Sequence, residues 1–242
     1  MANVQVSMSA VSNALKHRLP SGPYTRKKIT KVALERFTHT NMFYTQLFIN
    51  YLATKDPRRI KFFDEAGVKL PDAASRLYGH SSAGTRCVEI SKKTETPNLT
   101  LNMLASLDGP EYYNILNGAT TTLSFLEFFE ETGNPVNIQT GRPCLQVGDI
   151  VVMDNLTLHH FEGGEIIEDW LNEMGIELLY TPTYSPDLNP IELCFNKLKT
   201  ILNGELQELT ETNTKLAIAE AVEKITAQDM AGFYGATAYL FV

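Results

Sequence analysis

Two aspartates, Asp64 and Asp154, each come directly after a run of residues that has the pattern of a β-strand. Residues 59–63 read RIKFF, and residues 149–153 read DIVVM, a continuous apolar run typical of a central strand that is covered on both faces. Open sheets of α/β proteins place ligands at strand ends, so both carboxylates are in position to meet over one site. The competing interpretation is that each aspartate forms a turn or caps a helix.

A third carboxylate, Glu192, ends the stretch YSPDLNPIE at 184–192. Asn189, Pro190 and Glu192 are the residue types favoured at the N-cap, N1 and N3 positions of a helix, so Glu192 could serve simply in a capping box. Apolar residues at helical spacing would place Glu192 on an adjacent, partly exposed face. These residues are Ile191, Phe195, Leu198 and Leu202. On these residues alone, a catalytic and a structural role for Glu192 both stay open.

The elements that would position these carboxylates are a mixture of strands and helices. Periodicity predicts strands at 59–63, 85–91, 98–106, 149–153 and 176–180. It predicts helices at 4–17, 31–53, 121–132, 165–174, 190–202 and 213–227. Three early strands without helices between them, followed by alternating strands and helices, predict an α/β fold with a mixed sheet and flanking helices. The sequence carries neither the dinucleotide-binding glycine motif nor a P-loop, so nucleotide-binding loops have no support.

Charge is unevenly placed along the 242 residues, whose formal net charge is −7. Residues 1–61 hold eleven Lys and Arg against two acids, whereas residues 62–242 carry a net charge of −16. A basic arm suits contact with a polyanion and an acidic body suits cation binding, although a solvated basic helix without a partner is an equal alternative. Three cysteines, none in a CxxC pair, exclude a disulfide framework. No run of eighteen apolar residues occurs, so we expect no membrane partner.

Several stretches of the sequence resemble signatures of one family, the mariner-type transposases of the DDE superfamily. FFDEAG at 62–67 resembles the site of the family's first aspartate, and DNLTLHH at 154–160 resembles that of the second. YSPDLNPIE at 184–192 resembles the signature that contains the third acid. Eighty-nine residues separate the two aspartates, and 37 separate the second aspartate from the glutamate, close to the family's usual spacing.

The resemblance implies a ribonuclease H-like fold in which the first three strands are antiparallel and the later strands parallel. It implies that Asp64, Asp154 and Glu192 are catalytic and hold two Mg²⁺ ions, for which Mn²⁺ substitutes. Hard cations prefer oxygen ligands, and two of them about 4 Å apart can activate a water or a 3′-hydroxyl and stabilise the leaving oxygen. The same resemblance gives supporting roles around these ligands to Asn155, His159 and Asn189.

The resemblance also divides the chain into a basic helical arm, residues 1–59, and a catalytic domain, residues 60–242. SMSAVSNALKHRL at 7–19 resembles the last helix of a helix–turn–helix unit and is followed by a basic linker. Contacts with DNA are expected from Ser12, Asn13, Lys16, Arg26, Lys27 and Lys28. The first helix–turn–helix unit and most of the second would be missing, and a lone helix of this length is marginal. We therefore expect DNA binding that is weak and nearly indifferent to sequence.

Three functions compete. The first is metal-dependent cleavage and strand transfer of DNA, with transposon ends and target DNA as partners. For this function we expect a homodimer as the candidate assembly. The expected location is the nucleus in a eukaryote and otherwise the cytoplasm. The second is a truncated or domesticated transposase fragment that keeps the fold and weak DNA binding but does not transpose. The third is an unrelated α/β domain whose acids are ordinary caps. The complete set of three acids favours the first function over the third, whereas the incomplete helix–turn–helix region favours the second in the cell.

Overall fold

The computed structural model describes residues 6–18, 32–68, 85, 99–133, 136–137, 140–154 and 162–240. The chain forms two compact units, Met1–Ala33 and Leu34–Val242. In the first unit, helix α1 (Met8–His17) begins after Ser7, whose side chain accepts a hydrogen bond from the N–H of Ala10 at 3.2 Å. Helix α1 buries none of its side chains, so its formation depends on this cap and on local propensity.

Among the described residues, the second unit contains a five-stranded sheet with the strand order β3-β2-β1-β4-β5. The strands are β1 (Ile60–Val68), β2 (Leu99–Ser106), β3 (Gly109–Asn117), β4 (Ile150–Met153) and β5 (Glu177–Tyr180). β1 pairs antiparallel with β2, and β2 with β3, whereas β4 lies parallel to both β1 and β5. The predicted mixed sheet, with antiparallel early strands and parallel later strands, is confirmed.

Strand β1 is longer than the sequence predicts. We expected it to stop at Phe63, because the next residues, Asp64 to Gly67, have turn-forming types. In the structure these residues stay in the sheet, where they pair with β2 in the register Asp64↔Met103 and Gly67↔Thr100. Tertiary pairing therefore overrides the local preference, and the prediction that Asp64 follows the strand is wrong.

The third strand is β3, which the sequence analysis did not predict. β2 and β3 are joined by the two-residue turn Leu107-Asp108, and Gly109 begins β3 at a φ of 134°, a conformation that L side chains rarely adopt. A proline at position 110 and a largely half-buried pattern conceal this strand in the sequence. The strand predicted at 85–91 lies outside the described residues, except for Thr85.

Helices cover both faces of the sheet. They are α2 (His39–Leu52), α3 (Thr122–Gly133), α4 (Glu162–Glu173), α5 (Pro190–Asn203), α6 (Gln207–Thr212), α7 (Thr214–Glu223) and α8 (Ala227–Ala236). In place of the helix predicted at 31–53, the structure has a 3₁₀ turn at Leu34–Phe37 followed by α2, and the sequence analysis predicted neither α6 nor α8. No helix in the described part of the chain is long and apolar enough to cross a bilayer.

Alternation along the strands builds one hydrophobic core on each face of the sheet. On one face, Phe62 of β1 and Val152 of β4 pack with residues of α2, α5, α7 and α8, and we call this the α5 face. On the other face, Phe63 and Val151 pack with α3 and α4. Helix α2 thus belongs to the core of the second unit, and the predicted functional division at residue 59 stays a prediction.

Candidate active site

Asp64 lies in β1 on the α5 face, two residues after the core residue Phe62. Its Oδ2 accepts a hydrogen bond from the side-chain amide of Asn189 at 3.0 Å, and its Oδ1 accepts one from the N–H of Glu65 at 2.7 Å. The pKa of Asp64 is raised to about 7, chiefly because burial disfavours the ionised carboxyl group. The hydrogen bond from Glu65 opposes this rise, and neighbouring negative charges add to it.

Asp154 directly follows β4, as the sequence predicts. β4 runs parallel to β1 with Phe63 opposite Met153, so one further residue along each strand brings Asp64 and Asp154 side by side. Adjacent strands of a sheet lie about 4.8 Å apart, so the two carboxylates are close enough to share a ligand. The Oδ1 of Asp154 accepts a hydrogen bond from the hydroxyl of Thr181 at 3.1 Å.

Glu192 lies in the first turn of α5, where Asn189 is the N-cap and Pro190 occupies the first helical position. The side-chain oxygen of Asn189 accepts from the N–H of Ile191 at 3.3 Å, while the backbone N–H of Asn189 donates to the carbonyl of Pro186. A capping box would need that N–H to bond Glu192. Glu192 therefore does not form the capping box that the sequence left open as its structural role. The Glu192 side chain is exposed.

Electrostatics connects the three carboxylates. The charges of Glu192 and Asp154 both raise the pKa of Asp64, which requires them to lie near its carboxyl group. Within the described residues, no three His, Cys, Asp or Glu side chains lie close enough together to hold a metal ion as they stand. Nevertheless, an all-oxygen donor set with mutually repelling charges fits a hard divalent cation, because the cation would neutralise that repulsion.

Comparison with known proteins identifies the family of this chain. Residues 59–215 match the family described as DDE superfamily endonuclease. The chain belongs to this family. The matched stretch contains Asp64, Asp154 and Glu192 and all five strands of the sheet. No curated protein sequence matches the chain.

Solved structures of Mos1 transposase share the fold of this chain. The Mos1 mariner paired-end complex with Mn is 16% identical, with a TM-score of 0.66 over 97% of this chain and 69% of that chain. The Mos1 paired-end complex with the left transposon end is 18% identical, with a TM-score of 0.60 over 96% and 70%. The Mos1 catalytic domain with Raltegravir and Mn is 16% identical, with a TM-score of 0.57 over 84% and 92%. The predicted ribonuclease H-like fold is confirmed.

The loop between β5 and α5 is held from outside by residues that precede the sheet. Arg36 donates two hydrogen bonds to the carboxylate of Asp187, at 2.5 and 2.7 Å, and a third to the carbonyl of Tyr184 at 3.3 Å. Asn41 pairs with the backbone of Thr183, donating to its carbonyl and accepting from its N–H, both at 3.1 Å. Tyr184 has a φ of 55°, which is rare for a non-glycine residue. These interactions fix the loop that carries Thr181 and Asn189.

The remaining predicted site residues have different outcomes. Asn189 lies in the site and contacts Asp64, whereas Asn155 and His159 lie outside the described residues. Three predicted DNA-contacting residues are exposed on α1, namely Ser12, Asn13 and Lys16. The other three lie outside the described residues, namely Arg26, Lys27 and Lys28. Their roles stay predictions.

Sequence reasoning missed Thr181 and Arg36. Thr181 is a polar residue that directly follows an apolar strand, the same signal that singled out Asp154. That signal was available but is weaker for a hydroxyl than for a carboxylate. Arg36 has no comparable signal, because its partner Asp187 lies 151 residues further along the chain.

Proposed function

We propose that this chain is the catalytic core of a DNA transposase, which cleaves DNA strands and joins them to a target with the help of a divalent cation. The observation that carries the proposal is the placement of Asp64, Asp154 and Glu192. Asp64 lies on β1, Asp154 directly follows the neighbouring parallel strand β4, and Glu192 lies in the first turn of α5. The charges of Asp154 and Glu192 both raise the pKa of Asp64. Membership of the DDE endonuclease family supports the same conclusion.

The reaction would be an in-line displacement at the phosphorus of a DNA phosphodiester. In cleavage, a water oxygen bonds to phosphorus, the bond from phosphorus to the 3′ oxygen breaks, and that oxygen takes up a proton. In strand transfer, the freed 3′-hydroxyl attacks a phosphodiester of the target and releases a new 3′-hydroxyl. Bound divalent cations supply Lewis acidity to the attacking and leaving oxygens in this chemistry.

The carboxylates of Asp64, Asp154 and Glu192 would hold the cations, which we propose to be two Mg²⁺ ions, with Mn²⁺ as a substitute. Mos1 paired-end complexes have been solved with Mn and with Mg, which supports this choice of cation. With a pKa of about 7, the Asp64 carboxyl group carries a proton in much of the cation-free protein near neutral pH. Asp64 must release that proton to bind a cation, while the amide of Asn189 keeps its Oδ2 in place.

We propose DNA as the partner of the basic arm. Lys16 and the exposed polar residues Ser12 and Asn13 share helix α1, and Arg26, Lys27 and Lys28 follow in the sequence. Basic residues of this kind bind phosphates whatever the base sequence. Mos1 structures in complex with transposon ends support DNA as the partner class, and target DNA is proposed as the second substrate.

A second copy of this chain is the proposed protein partner. Helix α2 packs Phe48 and Leu52 into the core. Phe43 and Leu47 of the same helix are exposed to solvent, with accessibilities of 62% and 50%. Apolar side chains four residues apart form one continuous surface, and such surfaces mark interaction sites. Mos1 forms a paired-end complex, and an assembly that holds two DNA ends suits two copies of a catalytic chain. Light scattering should show a dimer that the Phe43→Glu variant converts to a monomer.

Nicking of supercoiled plasmid DNA tests the catalytic proposal. The wild type should convert the plasmid to the nicked form with Mg²⁺ or Mn²⁺ and not with EDTA. Asp154→Asn and Glu192→Gln should reduce nicking to background, whereas Glu173→Gln, which removes an exposed carboxylate from α4, should not change it. Full activity of either site variant would contradict the proposal.

A further inference from the structure

The hydroxyl of Thr181 lies beside the second aspartate of the site. Thr181 is 3% exposed, and its N–H donates to the carbonyl of Met153 at 2.9 Å, which continues the ladder between β5 and β4 by one residue. Its Oγ1 then donates to Oδ1 of Asp154 at 3.1 Å. A backbone hydrogen bond and a side-chain hydrogen bond therefore fix Thr181 against Met153, the last residue of β4, and Asp154, the residue that follows it.

The acceptor distinguishes Thr181 from a threonine that serves packing alone. Thr132, also fully buried, donates its hydroxyl at 2.8 Å to the carbonyl of Phe129 within its own helix. Thr181 instead donates to a carboxylate, and hydrogen bonds to an ionised acceptor are stronger and more directional than those between neutral groups. Valine would fill the same volume as threonine but would not supply this donor.

The two aspartates are supported in the same way. Asp64 receives a side-chain hydrogen bond from Asn189, and Asp154 receives one from Thr181. Both donors are nearly fully buried, and both belong to the segment between the end of β5 and the start of α5. This segment is the one that Arg36 and Asn41 hold from outside.

We propose that Thr181 is a positioning residue, which holds the Asp154 carboxylate in the orientation that binds the divalent cation. This inference rests on the function proposed above. Groups that hydrogen-bond a metal ligand from outside the coordination fix its orientation, and their loss typically lowers metal affinity or activity by about 10- to 100-fold.

The test compares Thr181→Val and Thr181→Ser with the wild type, and uses Thr132→Val as the matched control. Two quantities are measured: the plasmid nicking rate, and the Mn²⁺ concentration that gives half of the maximal rise in melting temperature without DNA. In Thr181→Val, the Mn²⁺ midpoint should rise and the nicking rate should fall, each by about 10-fold or more. Thr181→Ser keeps the hydroxyl and should resemble the wild type. Thr132→Val should lower the melting temperature without moving the Mn²⁺ midpoint.

The other possible results would contradict either the positioning role of Thr181 or the proposed function. A wild-type Mn²⁺ midpoint and nicking rate in Thr181→Val would overturn the positioning role, as would a loss in Thr181→Ser equal to that in Thr181→Val. If Thr181→Val does not fold, Thr181→Ala replaces it, because alanine also lacks the hydroxyl. Absence of both nicking and a Mn²⁺ response in the wild type would overturn the proposed function itself, and the positioning role with it.

Discussion

Asn189 connects Asp64, the first aspartate of the site, to the helix that carries the glutamate. Its Nδ2 donates to Oδ2 of Asp64 at 3.0 Å, and its Oδ1 accepts from the N–H of Ile191 at 3.3 Å. One buried side chain therefore acts as the N-cap of α5 and as a donor to the carboxylate. The stability of α5 and the orientation of Asp64 are coupled through this residue.

Replacing Asn189 should therefore affect both stability and activity. Asn189→Ala removes a helix cap, which should lower the free energy of unfolding by about 1 kcal/mol. It also removes the donor to Asp64, which should lower the plasmid nicking rate by about 10- to 100-fold. Asn213→Ala is the matched control, because Asn213 caps α7 through the N–H of Leu216 and lies outside the three-acid site. Urea unfolding and nicking assays should show similar destabilisation in both variants but reduced activity in Asn189→Ala alone.

The raised pKa of Asp64 predicts that stability falls as pH rises. Its ordinary value of 3.8 applies to the unfolded chain, whereas the value in the folded protein is about 7. Between these values the folded state binds more protons than the unfolded state, so this contribution is full below pH 3.8 and is lost as the pH rises through 7. Asp64→Asn removes the titrating group.

Urea unfolding at pH 5 and pH 8, without divalent cations, measures this contribution. The wild type should lose more stability between the two pH values than Asp64→Asn does. Glu173→Gln controls for the removal of an exposed carboxylate and should behave as the wild type. An equal loss in the wild type and Asp64→Asn would show that Asp64 titrates as an ordinary carboxyl group.

Local sequence signals predicted the positions of Asp154 and Glu192, because each follows a well-marked stretch of sequence. The apolar run before Asp154 became β4, and the asparagine and proline before Glu192 became the start of α5. The helical stripe in α5 is buried as predicted, with Ile191, Phe195, Leu198 and Leu202 all in one core. These features depend on residues within a few positions of one another, which a sequence pattern can capture.

Features that depend on distant pairing were not predictable in the same way. The extension of β1 through Asp64 arises from pairing with β2, which overrides the turn-forming local composition. The hydrogen bond of Thr181 to Asp154 depends on the register of two parallel strands, and that of Arg36 to Asp187 joins residues 151 positions apart. Periodicity carries no information on which distant residues meet.

The ion pair between Arg36 and Asp187 should make a modest, pH-dependent contribution to stability. Hydrogen bonding to Arg36 holds the pKa of Asp187 below its ordinary value. The contribution is therefore present above the ordinary carboxyl pKa and is lost as the pH falls through the lowered value. Because the Asp187 side chain is 54% exposed, we expect a coupling energy of no more than about 1 kcal/mol. A double-mutant cycle with Arg36→Ala and Asp187→Ala should give this coupling at pH 7 and a smaller one at pH 3.

DNA binding by the basic arm should depend steeply on salt and little on sequence. A triple variant with glutamine at positions 26, 27 and 28 should bind DNA more weakly than the wild type does. The loss of affinity should be the same for two duplexes of unrelated sequence. For each DNA phosphate that the variant no longer neutralises, the slope of log affinity against log salt should flatten by about 0.9. Lys215→Gln, which removes an exposed charge from α7, should leave the slope unchanged. Discrimination between the two duplexes at physiological salt would contradict sequence-indifferent binding.

Cation binding should stabilise the wild type and not a variant that lacks the second aspartate. Asp154→Ala relieves repulsion with Asp64 but removes the acceptor of the Thr181 hydroxyl, so without cations its stability should stay within about 1 kcal/mol of the wild type. At a hundredfold excess of Mg²⁺ over its dissociation constant, the wild type should gain about 2.7 kcal/mol, because the cation binds the folded site alone. Asp154→Ala should gain much less.

If Asp154 served as a structural cap, the Asp154→Ala mutation would lower the free energy of unfolding by about 0.5–2 kcal/mol, and neither protein would respond to Mg²⁺. Thermal melts of both proteins with and without Mg²⁺ distinguish these outcomes, and a wild type indifferent to the cation would contradict the catalytic assignment.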